Sequence, residues 1–431
     1  MLRFLAPLTA VMGVWTWAVF RSGGVVGWDR KLYLAALGFA GLVSWLLARQ
    51  AALPPARLLL PACLIPACLI PAWVACQMVP LPLPVVAILS PARAEAVRAL
   101  SPLFPVPSAA SLSIDPGVTM NHFLLVSAYA LLFLLAWQLA NRWPAARWAL
   151  VLPPVAVALA EAALGIVQSG AGDAAHGTYV NRDHYAGLLE MLLPFPIGFA
   201  VYAWRERRRV FASCLAAAAS TVLLAGVLLS LSRMGAIAPL FAILVMGIVG
   251  WAGAGWRPAA ALAVLACGVT AALFWLPSDE LIGRFAESST EPGVGGRLTL
   301  WRESLAVLHA YPVVGCGMGG YESAFLRYKR AVPMVRDAYA HNDYLQFAIE
   351  LGLAGFAIGA ALSAAVLSST ARAASRRAPP AGRYLAIACL GAFAAIGLHS
   401  LADFNLYVPA NAMLLAWLAG IGSALADSWE R

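Results

Sequence analysis

"AYAHNDYLQFAIELGLAGFAIGAALSAAVLSST", residues 338–370, decides the class of this chain. Its apolar part, 344–369, is long enough as a helix to cross the roughly 30 Å of a bilayer's hydrocarbon. Glu350 is the single charge within that part. Immediately ahead stand His341, Asn342, Asp343 and Tyr344. That is an unusual gathering of polar side chains in a sequence with 62% hydrophobic and 11% charged residues.

Outward from this segment, apolar runs of similar length recur toward both ends. A mean hydropathy of +0.80 excludes an ordinary soluble domain, whose apolar fraction is nearer half. The sequence predicts an all-α fold, a polytopic transmembrane helical bundle of about 12 spans. These run near 4–20, 32–48, 58–79, 122–140, 148–168, 185–204, 210–232, 234–250, 258–276, 344–369, 384–402 and 408–426. The N-terminal stretch has no small-residue cleavage site and reads as an uncleaved first span. The third span contains "PACLIPACLIPA", whose prolines kink a helix. Two connections are long: 80–121, rich in Pro and Ser, and 277–343, the one large extramembrane loop, with short amphipathic helices. The chain divides into spans 1–4 with the loop 80–121 (residues 1–140) and a catalytic region over 141–431.

The net charge of +9 does not point to nucleic acid. No basic, aromatic-interleaved soluble segment exists, and the arginines gather between spans. With the N-terminus inside, 15 of the 29 basic residues fall on the cytoplasmic side, among them "RERRR" (205–209) and Arg372, Arg376, Arg377 and Arg383. Of the 14 outside, seven lie in the 277–343 loop, which is long enough to escape the positive-inside rule. Both termini are therefore expected in the cytoplasm, and all six histidines outside. Of the seven cysteines, six lie in apolar runs and show no metal spacing; Cys316 alone is in a polar loop.

Four constellations carry the scarce polar chemistry. In "HNDYLQFAIELG", Asn342 is a helix N-cap and Asp343 suits the positive end of the helix dipole. His341 is then either an interfacial residue ahead of the cap or a proton acceptor matched to neutral pH. Tyr344 and Leu345 share its helical face, and the intramembrane Glu350 is expected to pair with an internal polar group. "GTYVNRDHYAGLLEM", 177–191, sets Asn181, Arg182, Asp183 and His184 at the outer start of a span; it reads either as an interfacial cap or as an anion site built on Arg182. In "LLSLSRMGA", 228–236, Arg233 ends a span on the side where positive charge is disfavoured, which argues for an anionic partner. "GVGGRLTLWRESLAVLHAYPVVGCGMGGY" places Arg297 behind two glycines. Leu298, Trp301, Leu305 and Leu308 share one face of a helix there, and "GCGMGG" follows no strand and reads as a turn.

In their order, "GTYVNRDHYAGLLEM", "LSRMGA", "GRLTLWRESLAVLHAYPVVGCGMGGY", "HNDYLQFAIELGLAGF" and "HSLADFNLYVPANA" resemble the O-antigen ligase and polymerase superfamily over roughly 160–425. The resemblance implies a glycosyltransferase of the bacterial inner membrane, acting on its periplasmic face. The implied donor is an undecaprenyl-diphosphate-linked glycan. The implied acceptor is a hydroxyl of lipid A–core for a ligase, or of another lipid-linked repeat unit for an O-antigen or exopolysaccharide polymerase. The implied reaction uses no cofactor and no metal. An essential external His maps to His341, and essential Arg residues map to Arg233 and to Arg297 or Arg182. On that reading His341 is the base and the guanidinium groups hold the diphosphate. Asn342, His184, Asn181, Tyr344, Glu350 and Asp403 lend support, with Asp403 a partner for an Arg or for His399. A different class, a lipid-linked glycan transporter or flippase, is allowed by the buried Glu161, Glu190 and Glu350. Against it, the polar groups gather on one face rather than at the midplane. Position 341 is thus expected outside: a single cysteine there should react with a membrane-impermeant maleimide in intact spheroplasts, and reaction only after permeabilisation would overturn the assigned orientation.

Overall fold

The computed structural model describes residues 2–27, 64–251, 292–330, 337–375 and 377–426, with 32, 34–41 and 43 besides. In a bilayer each backbone N–H and C=O must find its partner within the segment, so the apolar runs become helices. In chain order these are α1 (Leu2–Phe20), α2 (Leu64–Met78), α3 (Leu83–Leu89), α4 (Pro91–Arg98), α5 (Pro116–Arg142), α6 (Leu152–Gly170), α7 (Arg182–Leu192) and α8 (Pro194–Arg205). There follow α9 (Val210–Leu229), α10 (Arg233–Trp251), α11 (Pro292–Ala310), α12 (Tyr321–Phe325), α13 (Asp343–Ala373), α14 (Pro380–His399) and α15 (Pro409–Ala426). A two-residue ladder, β1 (Leu81–Pro82) antiparallel to β2 (Ala109–Ala110), closes the segment between α2 and α5.

Among the described residues, 8 helical stretches are long and apolar enough to cross a membrane: α5, α6 with the 3-10 turn before it, α7 continued by α8, α9, α10, α13, α14 and α15. This is fewer than the sequence predicts. Helices α1 and α2 are apolar but counted as shorter. The expected span 258–276 and residues 33, 42 and 44–48 of the expected span 32–48 lie outside the described residues, as do 277–291 and 331–336 of the long loop.

Side-chain caps start the helices that carry the site: Asp115, Asn181 and Asn342 accept from the amides of Val118, Asp183 and Leu345. Proline opens α8 at Pro194, and its missing N–H interrupts the helical hydrogen bonds between α7 and α8, although Leu193 between them keeps helical backbone. Large apolar side chains such as Phe211 on α9 and Leu353 on α13 point outward, as a lipid-facing surface requires. The inner core is shared by α1, α5, α7, α14 and α15. At Gly420 a Cβ would come within 2.3 Å of the Phe133 carbonyl oxygen, so α5 and α15 touch almost backbone to backbone. Trp15 of α1 donates to the carbonyl of Ala410 at the start of α15, at 2.9 Å. Residues on both sides of position 140 therefore pack into one core.

Helix α13 is broken at Gly352, which sits at φ 66°, ψ 176°. The glycine-rich turn 312–320 lies against the break and supplies partners for its freed backbone groups. Cys316 N donates to Ile349 O, Gly317 N to Glu350 O, and Leu353 N and Ala354 N donate back to Pro312 O and Val313 O. Gly352 is required there: its φ is in the left-handed region, and a Cβ would lie 2.2 Å from the Val313 oxygen. Gln77 of α2 adds to the joint, donating to Val314 O and Glu350 O at 2.7 and 2.8 Å.

Helix α11 is covered along one row only. Its inward stripe is Leu300, Ser304 and Val307, continued by Tyr311, whereas Leu298 and Leu305 are exposed. Leu298, Trp301, Leu305 and Leu308 thus lie on a face that stays at least partly exposed, while the covered row meets α13 and α12.

The helix ends sort into two groups. His122 at the start of α5, the starts of α7, α13 and α15, and the end of α14 meet around residues 399–411. At the other end Arg147 binds the carbonyls of Ala140 and Ala424, Trp148 that of Ala381, and Arg383 that of Gly250. Replacing Gly352 by Ala is expected to cost about 1–3 kcal/mol through backbone strain and lower the melting temperature in detergent by several degrees. Gly359→Ala, which meets nothing within 4 Å, should melt like the native protein.

Candidate active site

His341 owes its position to the joint just described. The Glu350 carboxylate, buried in α13, accepts from Gly319 N at 2.7 Å, Gln346 Nε2 at 3.1 Å and Tyr407 Oη at 2.6 Å, with Tyr321 N farther off at 3.4 Å. Gln346 then accepts from the amide of Ala340 at 2.9 Å, while Trp301 of α11 donates to the Ala340 carbonyl at 2.8 Å. With Ala340 held through both backbone groups, His341 takes φ 49°, left-handed backbone that a non-glycine residue seldom adopts. That turn points the imidazole toward the segment between α14 and α15.

The same segment is tied to α13 by Asp343. Its amide donates to the carbonyls of Ser400 and Asp403, and its carboxylate accepts from Ser400 Oγ at 2.7 Å and Leu406 N at 3.2 Å. Asp403 is thereby fixed beneath His341. Three imidazoles surround its carboxylate: His341 Nδ1 at 3.4 Å from Oδ1, His184 Nε2 at 3.5 Å from Oδ2, and His399 Nε2 at 3.9 Å from Oδ2. The third is engaged on its other side, where His399 Nδ1 lies 3.0 and 3.1 Å from the two oxygens of Glu190. A carboxylate offers only lone pairs, so Nδ1 is the donor there. Phe404 fills the space between the first two rings, edge-on to His184 at 4.6 Å and to His341 at 4.8 Å, and Tyr339 stacks on it at 4.1 Å.

Asp403 is 2% exposed. Burial alone would raise its pKa; the imidazoles of His184, His341 and His399 outweigh burial and hold the carboxyl well below the usual carboxylate range. The carboxylate is therefore charged at neutral pH. Neither oxygen makes a hydrogen bond, and His341 Nδ1 and His184 Nε2 are likewise buried without one. Four such atoms facing one another are expected to close on rearrangement, as catalytic hydrogen bonds long in the resting state tighten on a substrate. His341 keeps 36% of its side chain exposed with Nδ1 turned inward. Its Nε2 is then the nitrogen left for a reacting hydroxyl.

The structure brings His341, His184 and Asp403 into one cluster. Arg297 joins from α11, donating from Nη1 to the carbonyl of Ala402 at 3.1 Å. Arg233 is the first residue of α10, half-buried, and has no hydrogen-bond or ion-pair partner among the described residues. The turn following it packs on α7, where Gly235 lies against Ala186. Arg182 opens α7 and is half-buried. Asn181 and Asn342 are N-caps, and Tyr344 donates to the Gly397 carbonyl at 2.7 Å instead of facing His341. Glu350 serves the joint. The buried Cys316 thiol is pushed well above its ordinary pKa, first by burial and then by Glu350, and is inert.

Sequence reasoning did not find the His399–Glu190 pair, the Asp343 anchor or the Phe404–Tyr339 stack. The four-residue spacing of His399 and Asp403 pointed to the contact between those two, and no local signal pointed to Glu190.

The fold and cluster define a multi-pass membrane protein with a His- and Asp-centred site at one end of its bundle. Residues 218–360 match the family model described as O-antigen ligase. The match supports placing the chain in the O-antigen ligase and polymerase superfamily, with a membrane glycan-transferring role. It covers Arg233, Arg297 and His341; His184 and Asp403 lie beyond its limits. No curated protein matches the chain.

A carboxyl whose folded pKa lies below its unfolded value of about 3.9 stabilises the fold above about pH 4, and that contribution is lost as pH falls further. Asp403→Asn should therefore melt below the native protein at pH 7. The gap in melting temperature should narrow once the pH drops under about 4, as read by differential scanning fluorimetry.

Proposed function

We propose that this protein moves a glycan from an undecaprenyl-diphosphate donor to an acceptor hydroxyl at the periplasmic face of the bacterial inner membrane, as an O-antigen ligase with a lipid A–core acceptor. The observation that carries this reading is the half-exposed His341 imidazole, held on strained backbone with Nδ1 set against a buried, ionised Asp403. The arrangement is that of a general base oriented by a carboxylate.

The orientation is supported by the arrangement of helix ends. Arg142, Arg147, Arg205 and Arg383 sit at the end of the bundle opposite His341, where positive residues are expected to face the cytoplasm. Helix α1 runs toward the site end, since Trp15 meets Ala410, and α15 runs away from it. Both termini then fall on the cytoplasmic side.

In the reaction, Nε2 of His341 accepts the proton of the acceptor hydroxyl as its oxygen attacks the anomeric carbon. The bond to the diphosphate breaks and its electron pair leaves with the phosphate oxygen. Asp403 stabilises the imidazolium that forms. Charge growing on the diphosphate is met by Arg233, which has no partner among the described residues, with Arg297 and Arg182 as further guanidinium groups. A polyprenyl diphosphate is already activated, so neither a nucleotide nor a metal is needed. One direct displacement inverts the anomeric configuration.

The carboxylates bear on the transporter alternative. Glu161 accepts from Thr178, Glu350 from the turn and Tyr407, and Glu190 faces His399. Each serves a separate local contact, and they form no single file.

His341→Ala should abolish transfer in membrane vesicles while a lipid-linked donor still binds. Arg233→Lys should lower the rate at least about tenfold, because a point charge cannot reproduce the bidentate fork. Transfer should survive excess EDTA. Unchanged transfer by the His341 variant would exclude His341 as the base. In a deletion strain, uncapped core lipid identifies the ligase, and single repeat units on the core identify a polymerase.

A further inference from the structure

Two imidazoles, not one, are left facing Asp403. His399 is committed to Glu190. His341 Nδ1 and His184 Nε2 each face a different oxygen of the same carboxylate, at 3.4 and 3.5 Å, and neither has another partner. The two differ in access: the His184 side chain is 7% exposed and that of His341 36%. His184 is also rigidly placed. Its carbonyl accepts from Asn411 of α15 at 2.9 Å, Asn411 in turn holds Asn405 and Tyr179, and Phe404 lies against its ring. A buried polar side chain fixed this firmly, with Nε2 aimed at the carboxylate that orients the base, serves more than packing.

We propose that His184 is a positioning residue that shares Asp403 with His341 and so keeps the reacting imidazole in its free-base form at mildly acid pH. The proposal rests on the reading of His341 as base. A single carboxylate balances one proton on the pair of imidazoles. The first proton to enter divides between His184 and His341, and the second is repelled by it. A fraction of molecules then carries the proton on His184 while His341 Nε2 still has its lone pair. The charge facing His184 is Asp403 from the segment after α14; around that carboxylate stand Asp343 at the start of α13 and the His399–Glu190 pair bridging α14 and α7, with Asp183 acting on His399. Arg297 approaches the same segment through Ala402. No proton is created or lost: the one taken from the acceptor stays on the histidine pair until it leaves to water.

The test uses the full-length protein and two readouts. In the first, glycan transfer from a polyprenyl-diphosphate donor is followed against pH for the native protein and for His184→Gln, whose amide can still donate to Asp403 but cannot gain a charge. The native acid limb should be broad or shouldered. In the variant it should be a single step lying at higher pH by roughly one unit, the size expected of two coupled sites. In the second, ring-carbon NMR of 13C-histidine-labelled protein in nanodiscs, with His341 assigned from His341→Gln, needs no substrate. The His341 signal should titrate in two steps in the native protein and in one step in His184→Gln. His176→Gln, outside the cluster, should change neither profile, and His184→Asn serves if the glutamine variant does not fold. A merely structural role would lower the rate or the melting temperature at every pH and leave both shapes alone, which would overturn the proposal. If His341→Gln retains transfer while the two-step titration is present, the proposed reaction fails and the shared carboxylate stands.

Discussion

A buried carboxylate at the break of one helix holds this architecture together. Glu350 would be costly at its depth unless its lone pairs were met. They are met by an amide of the glycine-rich turn, a glutamine one turn earlier on α13 and a tyrosine from the segment before α15. Three parts distant in sequence are thereby locked to one residue. The break at Gly352 is part of the same device, because an unbroken α13 would have no free backbone groups for the turn to bind. Through Gln346 and Ala340 the lock extends to His341, so a contact in the bundle interior fixes a side chain at its mouth.

The cluster at that mouth follows a different logic. An ionised Asp403 at 2% exposure needs compensating charge or hydrogen bonds. The structure supplies imidazoles instead of arginine or lysine. A guanidinium would neutralise the carboxylate permanently, whereas an imidazole can gain or lose its proton near neutral pH. The imidazoles come from three places, the start of α7, the turn before the cap of α13 and the end of α14, and meet a carboxylate from the loop beyond α14. Arg233 and Arg182 open their helices, and Arg297 reaches the carbonyl of Ala402 and not the Asp403 carboxylate.

Division of the chain at residue 140 has little meaning for packing. Helix α5 lies against α15 along much of its length, and α1 reaches the first turn of α15. The early helices therefore buttress the last one, whose Asn411 positions His184. A role for the N-terminal region in holding the site needs no motif of its own.

The sequence by itself determined the membrane class, the end of the bundle at which polar chemistry gathers, the cap Asn342, and the candidacy of His341, Arg233 and Arg297, while a cap at Asn181 was one of two readings of its stretch. These are readable because run length, helix-start chemistry and the scarcity of charge are local properties. Which residues serve His341 was decided only in three dimensions. His184, His399 and Asp403 lie far from it in sequence, or on another helix, and nothing in the local pattern states that one carboxylate meets all of them. The inward stripe of α11 and the use of Glu350 as a lock were equally hidden, since both depend on which face a neighbouring element covers, and that is set by packing between helices rather than by the order of residues within one.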